Sequence, residues 1–217
     1  MLLFDPVVYT RLLSQYNSDI WPFSIFLFFL ASASAALTIY RPVGSDRIVA
    51  GILAGLWLWT GIVFHIGYYS AINWAAWGFG IIFILQGGLW FWRGVVLNQL
   101  EFIYPNGLLG AFVTSFFLFS LFFPLLASVY FENSKIVVPF FGVSPDWVLV
   151  FTLTIFLTIE KNTRLHLKVF PVAWCIITSI TAFLIGIVEN WIFPCVAILI
   201  LLIDIKRQKI SLKSFEK

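Results

Sequence analysis

Long apolar stretches separated by short polar segments make up most of the chain. Five of these stretches are long enough to cross a membrane as helices, because a hydrocarbon core of about 30 Å needs about 20 apolar residues. They are Trp21–Tyr40, Arg47–Tyr69, Asn73–Trp92, Gly107–Tyr130 and Val169–Val188. Two shorter stretches, Pro145–Ile159 and Asn190–Ile205, are marginal in length. Either both of them span the membrane, which gives seven helices, or one of them is re-entrant.

The distribution of lysine and arginine decides between these alternatives. With seven spans and an external N-terminus, the external side of the membrane keeps only Arg11 and Lys135 of the 13 basic residues. Basic residues concentrate in cytoplasmic segments, and removing either short span would move the basic loop at 161–168 or the basic tail to the wrong side. We therefore predict an all-α polytopic membrane protein with seven transmembrane helices, its N-terminus outside and its C-terminus cytoplasmic.

A short helix is predicted before the first span. In DPVVYTRLLSQYNSD the residues Val8, Tyr9, Leu12, Leu13 and Tyr16 share one helical face, which is typical of an interfacial helix on the outer leaflet. A signal peptide is the alternative for FSIFLFFLASASA, but the stretch before it lacks a positively charged n-region. We predict a single integral membrane domain over residues 1–217, with an interfacial segment at 1–19 and a basic cytoplasmic tail at 206–217.

Composition supports a membrane protein and excludes other classes. The chain is 61% hydrophobic and 11% charged, with a mean hydropathy of +1.00, so it lacks the charged surface of a soluble domain of its size. Cys175 and Cys195 both lie in apolar stretches, without the spacing of a zinc site. No nucleic-acid partner is expected, because the basic residues do not cluster on a folded polar face.

The second span carries a histidine on an apparent helix–helix seam. Residues recur at alternating spacings of four and three along one side of that helix: Gly51, Gly55, Leu58, Ile62, His65 and Tyr69. Gly51 and Gly55 form a G-x-x-x-G pair, a pattern that lets two membrane helices approach closely. His65 is expected to face the bundle, about 6 Å below Tyr69 at 1.5 Å per residue. Its alternative role is structural, as a hydrogen-bond partner of Asn73 or of a carbonyl group.

Other polar side chains gather toward the predicted outer ends of the helices. On the sixth span the small residues Cys175, Ser179, Ala182 and Gly186 lead to Glu189, while Asn73 and Asp146 lie at other outer ends. Gln86 lies near the middle of the third span. We predict a ligand-binding site formed by His65, Asn73, Asp146, Glu189 and Gln86. Glu189 can also be read as a solvated turn residue, and Gln86 as a hydrogen bond between helices.

Three segments resemble a bacterial multi-pass membrane family catalogued only as a domain of unknown function (family number 6064). They are WLWTGIVFHIGYYSAINWAAWGFGIIFILQG at 57–87, FGVSPDWVLVFTLTIF at 141–156 and FPVAWCIITSITAFLIGIVENW at 170–191, and IWP at 20–22 fits the opening of the family. The family's pattern matches His65, Ile72, Asn73, Phe79, Gly80, Gln86 and Gly87 of this chain. The resemblance implies the seven-span fold and no particular activity.

The chain departs from that family at two places. Pro145, Asp146, Trp147 and Val148 stand where the family has Pro-Cys-Pro-Thr, and Asn190 stands where an aspartate is usual. Any thiol or soft-metal chemistry of the family's cysteine therefore does not carry over to this chain.

From these observations we predict a membrane protein that binds a small ligand or cation in a polar pocket open to the extracytoplasmic side, for transport or sensing. An acidic mouth with an imidazole favours a small cation or an amine over an anion. Two hypotheses stay open beside it: an accessory or scaffold subunit of a larger membrane complex, and an intramembrane enzyme that pairs His65 with an acidic partner. No nucleophile motif accompanies His65, so an enzyme is the less favoured reading, and no metal or cofactor is identified.

The expected location is the bacterial cytoplasmic (inner) membrane. The expected partners are the lipid bilayer, a small cation or amine, and either other membrane subunits or further copies of this chain.

Overall fold

A computed structural model of the protein describes residues 6–130, 144–159, 165–185 and 191–215, which are almost entirely helical. Within these ranges the only β-type pairing is an isolated bridge between Phe102 and Ile159. The helices are α1 (Pro6–Asp19), α2 (Phe23–Tyr40), α3 (Ser45–Trp59), α4 (Ala76–Trp90), α5 (Gly107–Tyr130), α6 (Pro145–Phe156), α7 (Leu165–Ile185) and α8 (Ile192–Phe215).

Two of the helices continue into wider turns. Helix α3 runs without interruption into a π-helical segment, Thr60–Tyr68, and then into a 3₁₀ turn, Tyr69–Ala71. Helix α4 continues as a π-helical segment at Phe91–Val96, where the Leu97 amide donates to the Trp92 carbonyl at 2.9 Å. Short π-helical stretches inside α-helices are rare and are frequent at functional sites.

Five helical segments are long and apolar enough to cross a membrane, by length and composition. They are Phe23–Tyr40, Ser45–Ala71, Ala76–Val96, Gly107–Leu126 and His166–Leu184, which confirms the five long stretches predicted from hydropathy. Helix α6 has 12 residues and is about 18 Å long, shorter than a hydrocarbon core. Helix α8 has 24 residues and continues to Phe215, over most of the segment predicted as a basic tail. The count of seven spans and the orientation of the termini stay predictions.

Helix α6 lies at the centre of the bundle, against α3, α5, α7 and α8. Each of its residues from Trp147 to Phe156 is at most 2% exposed. The sequence WVLVFTLTIF is apolar on every side of the helix apart from two threonines, as expected of a helix without a solvent-facing stripe. The indole Nε1 of Trp57 on α3 donates to Thr152 Oγ1 at 2.8 Å, which pairs both groups inside the core.

Side-chain and backbone bonds define one end of the bundle, here called the Asp46 end. The Phe102 amide donates to Asp46 Oδ1 at 2.9 Å, and the Ile103 amide donates to the Thr158 carbonyl at 2.7 Å. The Arg41 guanidinium lies 2.6 Å from Glu101 Oε1. These bonds bring the end of α2, the start of α3, the connection after α4 and the turn after α6 to the same level.

The opposite end, here called the Asp19 end, is built on α1. Leu12, Leu13 and Tyr16 are buried, so the predicted helix and part of its apolar face are confirmed, whereas Val8 of that face is 39% exposed. The Tyr16 hydroxyl accepts a hydrogen bond from Trp59 Nε1 at 3.1 Å, and its ring lies 5.2 Å from the ring of Phe64. The apolar face of α1 therefore packs on the π-helical segment at Thr60–Tyr68.

The close approach of α3 and α4 uses different glycines from those predicted. A Cβ on Gly51 would make an ordinary contact of 3.6 Å, and one on Gly55 would meet no atom within 4 Å, so the G-x-x-x-G prediction is wrong. Gly61 and Gly80 face each other instead, each Cβ position lying 2.9–3.0 Å from the other's carbonyl oxygen. The buried side of α3 is rotated by one residue from the predicted seam, so that Gly55 and Ile62 are exposed.

Replacing Gly94 with alanine is expected to lower the free energy of unfolding by about 2 kcal/mol, as overpacking a dense core does. A Cβ on Gly94 would lie 2.1 Å from the Cβ of Ala50, and neither atom moves without its backbone. Unfolding in mixed micelles, followed by tryptophan fluorescence, measures the loss. Gly88→Ala is the matched control, because a Cβ there meets no atom within 4 Å and alanine favours the helix. Equal stability of the two variants would contradict this packing.

Candidate functional site

His65 lies in the π-helical segment and is completely buried. Five aromatic rings from α3, α4 and α7 surround its imidazole, and we call this arrangement the ring box. The ring centroids lie at 5.1 Å (Phe64), 6.0 Å (Tyr69), 5.9 Å (Phe79), 4.7 Å (Phe83) and 5.0 Å (Trp174) from that of His65. The prediction that His65 faces the bundle is confirmed.

Neither ring nitrogen of His65 has a hydrogen-bond partner among the residues that the structure describes. A neutral imidazole carries one donor and one acceptor nitrogen, and leaving a buried donor or acceptor unpaired costs about 1–3 kcal/mol. The structural alternative, a bond from His65 to Asn73 or to a carbonyl group, is therefore not formed there. An aromatic side chain of similar size would fill the same space without this cost.

Trp174 connects the ring box to a carboxylate. Its indole Nε1 donates to Asp146 Oδ1 at 3.2 Å, and the Thr178 hydroxyl, one turn further along α7, donates to the same oxygen. Asp146 lies in the first turn of α6, where the N-terminal end of a helix favours a negative charge. Both bonds end on the same carboxylate oxygen, Oδ1.

Tyr9 on α1 lies near enough to this carboxylate to be affected by its charge. Burial raises the pKa of the Tyr9 hydroxyl well above its usual value, and the nearby charges of Asp146 and Tyr69 raise this pKa further. The ring of Tyr9 also makes an edge contact with the ring of Tyr69 at 5.7 Å. The site therefore draws on α1, the extension of α3, α4, α6 and α7.

The cluster is recessed below the Asp19 end of the bundle. Phe83 is the eighth residue of α4, and Thr178 precedes the end of α7 by seven residues. At 1.5 Å per residue both lie about 10 Å from the ends of their helices. His65 and Asp146 therefore meet the same indole inside the bundle. Asp146 lies at a helix end, as predicted, and its helix has only 12 residues.

Asn73 and Glu189 were also predicted to belong to the site, and the structure describes only the first of them. Asn73 is buried, accepts a bond from the Ala75 amide at 3.1 Å, and makes a side-chain hydrogen bond to Tyr69. It thereby holds one wall of the ring box and does not contact His65 by a hydrogen bond. Glu189 lies outside the described residues, so its place in the site stays a prediction.

Gln86 bonds a backbone group of another helix. Its Nε2 donates to the Leu167 carbonyl at 2.9 Å, and both residues are fully buried. In an α-helix that carbonyl would accept from residue 171, but Pro171 has no N–H. Gln86 thus satisfies the oxygen that a proline inside α7 leaves unpaired. Its own Oε1 has no partner in the described ranges.

Replacing Gln86 with leucine is expected to lower the free energy of unfolding by about 1–2 kcal/mol, because the Leu167 carbonyl is then buried and unpaired. Pro171→Ala supplies the missing N–H within α7. The same Gln86→Leu change should therefore cost less in the Pro171→Ala background, which a double-mutant cycle on unfolding in mixed micelles measures. A cost independent of residue 171 would contradict this role of Gln86.

Within the described residues, His65 does not form a direct acid–base pair with Asp146. His65 and Asp146 are not hydrogen-bonded to each other, because Trp174 lies between them. In the part of the chain that the structure describes, no three His, Cys, Asp or Glu side chains lie together as metal ligands. What the site offers is a carboxylate, an imidazole and several aromatic rings in an apolar surrounding.

Sequence reasoning missed the residue that joins the site together. Tryptophans are common in membrane proteins as packing and interface residues, so the residue type of Trp174 did not single it out. Its position was a usable signal, because it lies near the middle of α7, far from either end where interfacial tryptophans gather. Thr178 follows it by four residues on the same face of the helix.

A family model matches residues 7–213 of the chain, and its description is a family of unknown function (DUF6064). No curated protein matches the chain. No solved structure matches it either.

Proposed function

The chain belongs to the DUF6064 family of unknown function, and from its apolar helices and its ring box we propose that it is an integral membrane protein that binds a small ammonium-type cation. The observation that carries this proposal is the fully buried His65, whose ring lies beside the indole that holds Asp146 and whose two nitrogens have no hydrogen-bond partner among the described residues. A ligand that entered here would supply the missing hydrogen bond. The bound cation serves transport or sensing across the bacterial cytoplasmic membrane.

The chemistry of the cluster supports a cation. Aromatic faces within about 6 Å attract a positive charge, and a ring box offers several such faces together. The Asp146 carboxylate supplies the opposite charge, and a neutral imidazole supplies one acceptor nitrogen. An anion would meet the same carboxylate and gain nothing from the rings. An amine or ammonium ion, with N–H donors and a small apolar body, matches all three groups.

The exposure of large apolar side chains supports the proposal that the protein is embedded in a membrane. Large apolar side chains are exposed on the outer surfaces of several helices, for example Phe29 (63%), Leu126 (68%) and Phe183 (72%). Large apolar side chains exposed to this extent on several helices are unfavourable in water and favourable in lipid.

We further propose that the Asp19 end faces the outside and the Asp46 end the cytoplasm. Arg41 follows α2 and Arg93 lies in the π-helical segment that ends α4, both at the Asp46 end, and Arg207 donates to the Leu157 carbonyl at 2.5 Å beside the end of α6. Basic residues on one side are typical of the cytoplasmic face. The alternating helices are then consistent with seven crossings, two of them made by α6 and α8.

His65→Phe tests the proposed function. It places a ring in the ring box and removes two unpaired buried nitrogens, so we expect the free energy of unfolding to rise by about 1–2 kcal/mol. We expect the affinity for ethylammonium to fall about tenfold, because the acceptor nitrogen is lost. Binding is measured by calorimetry on purified protein in detergent, with ethylammonium chloride titrated against sodium chloride. A gain in stability with a loss of binding is typical of a functional site.

His166→Phe is the matched control, since it changes the other histidine, in the first turns of α7. It should leave the affinity for ethylammonium unchanged. A His65→Phe variant that is less stable and binds as before would assign His65 a structural role. Absence of binding by the unmodified protein, together with its migration alongside other membrane proteins after gentle solubilisation, would favour an accessory or scaffold subunit.

A further inference from the structure

A buried ion pair lies nearer the Asp46 end of the bundle. Lys168 on α7 donates to Asp204 on α8, and their side chains are only 17% and 6% exposed. The Lys168 ammonium also lies 5.6 Å from the centroid of the Phe156 ring on α6. Charged side chains within membrane helices are costly and commonly mark the path of an ion or substrate.

This pair repeats the chemistry of the ring box. In the pair, the Asp204 carboxylate and the face of the Phe156 ring hold a primary ammonium group, which is the end of the Lys168 side chain. At the ring box the corresponding groups are Asp146 and the rings around His65, and no described lysine places its ammonium group there. The Lys168 side chain thus shows which ligand such groups accept: R–NH₃⁺.

Unpaired buried polar atoms lie between the two places. Gln86 Oε1 and Trp90 Nε1 are on fully buried residues and have no partner in the described ranges. Gln86 follows Phe83, which contacts His65, by three residues, and Trp90 follows Gln86 by four, so the three residues share one face of α4 over about 10 Å. The Trp90 ring stacks on Phe156 at 5.5 Å, and the Gln86 amide bonds the carbonyl of the residue before Lys168.

We propose that Asp204 is a second ammonium site, occupied by Lys168 until a substrate ammonium ion displaces it, and that His65, Gln86 and Trp90 line the way to it from the ring box. This proposal rests on the proposed function and deepens it. The substrate class is a primary ammonium ion, and the activity is transport across the membrane. Lys168 is the tethered competitor that closes the path at the Asp46 end in the absence of substrate.

The first test removes the competitor. Lys168→Ala removes the ammonium group that Asp204 binds, and added ethylammonium chloride should restore thermal stability in detergent, because a ligand stabilises the state that binds it. The control is Lys168→Ala/Asp204→Asn, which retains the ring box and lacks the carboxylate. We expect a clearly larger rise of Tm with ethylammonium in the single variant than in the double variant. Equal rises would overturn the second site.

The second test measures transport and does not depend on a destabilised variant. Uptake of labelled methylammonium into proteoliposomes should be saturable for the unmodified protein. Lys168→Arg keeps the charge and the ion pair, but its planar guanidinium binds a carboxylate through two parallel bonds and resists displacement. We therefore expect uptake to fall about tenfold in Lys168→Arg and in Asp204→Asn, with ethylammonium binding at the ring box retained in both.

The outcomes separate this proposal from the proposed function. Binding of ethylammonium by the unmodified protein, with uptake unchanged in Lys168→Arg and Asp204→Asn, would overturn the path and leave the ring box as a binding site. If ethylammonium chloride raised the Tm of Lys168→Ala no more than that of Lys168→Ala/Asp204→Asn, the site at Asp204 would be overturned. Rescue of Lys168→Ala in a protein whose ring box does not bind ethylammonium would keep the site at Asp204 and overturn the proposed function.

Discussion

Asp146→Asn should lower the affinity of the protein for ethylammonium by about 100-fold or more. Removing one partner of a buried, hydrogen-bonded charge pair typically costs 2–5 kcal/mol of binding free energy, and about 2.7 kcal/mol corresponds to 100-fold. Asparagine keeps an oxygen that can accept from Trp174 and Thr178, so the local fold should persist. Calorimetric titration of the purified variant with ethylammonium chloride measures the change.

The control for that substitution is Asp19→Asn. Asp19 is an exposed carboxylate at the end of α1 that accepts a bond from the Tyr68 hydroxyl at 3.0 Å. A site governed by general surface charge would lose affinity in both variants, whereas a site built on Asp146 loses it only in Asp146→Asn. Retained affinity in Asp146→Asn would remove this carboxylate from the site.

Asp204→Ala should lower the free energy of unfolding by about 3–5 kcal/mol, the usual cost of breaking a buried ion pair from one side. The loss arises because the Lys168 ammonium remains in an apolar surrounding without its carboxylate. Lys168→Met/Asp204→Leu removes both charges at similar volume. Replacing a whole buried pair is often neutral, so most of the lost stability should return in this double variant.

Unfolding of the three proteins in mixed micelles, followed by tryptophan fluorescence, measures these differences. Equal stabilities of Asp204→Ala and the original protein would mean that water or lipid headgroups already solvate the pair. Stability and transport should separate in Lys168→Met/Asp204→Leu, which should not transport methylammonium even if it is as stable as the original protein.

The sequence was sufficient to predict the five long apolar helices. An apolar stretch of about 20 residues has few alternatives to a helix in a membrane, because every backbone N–H and C=O must be bonded inside the segment. The length of the apolar stretch was a weaker guide at Pro145–Ile159, where the structure has a short central helix. Its apolar sequence shows that it is buried and does not tell whether lipid or other helices surround it.

Glycine spacing was a poor guide to the contact between α3 and α4. The pair Gly51 and Gly55 fits a general pattern, but the phase of a helix face depends on which helix lies opposite. Gly61 and Gly80 belong to different helices, and no periodicity within one helix predicts that they meet. The π-helical segment that carries Gly61 also has no signature among the residues at Thr60–Tyr68.

The sequence predicted several polar residues of the candidate site but not how they are arranged around one another. His65 and Asp146 were identifiable because ionisable groups are rare at membrane depth. Their common contact with Trp174 is a tertiary feature, since these residues come from three helices far apart in sequence. The role of Gln86 was open from sequence alone, because its partner is a backbone oxygen four residues before Pro171. Lys168 was identifiable only as part of a basic loop, and its contact with Asp204 on another helix is likewise a tertiary feature.

The π-helical segment also limits how the length of this region can vary. A bond from each amide to the fifth residue before it accommodates one residue more than an α-helical turn. Deleting one residue within Thr60–Tyr68 would let the chain close into an ordinary α-helix and would rotate Gly61 relative to Tyr69 by about 100°. Gly61 could then not face Gly80 while His65 remained among its rings. Homologous chains should therefore vary here by substitution and tolerate neither insertions nor deletions.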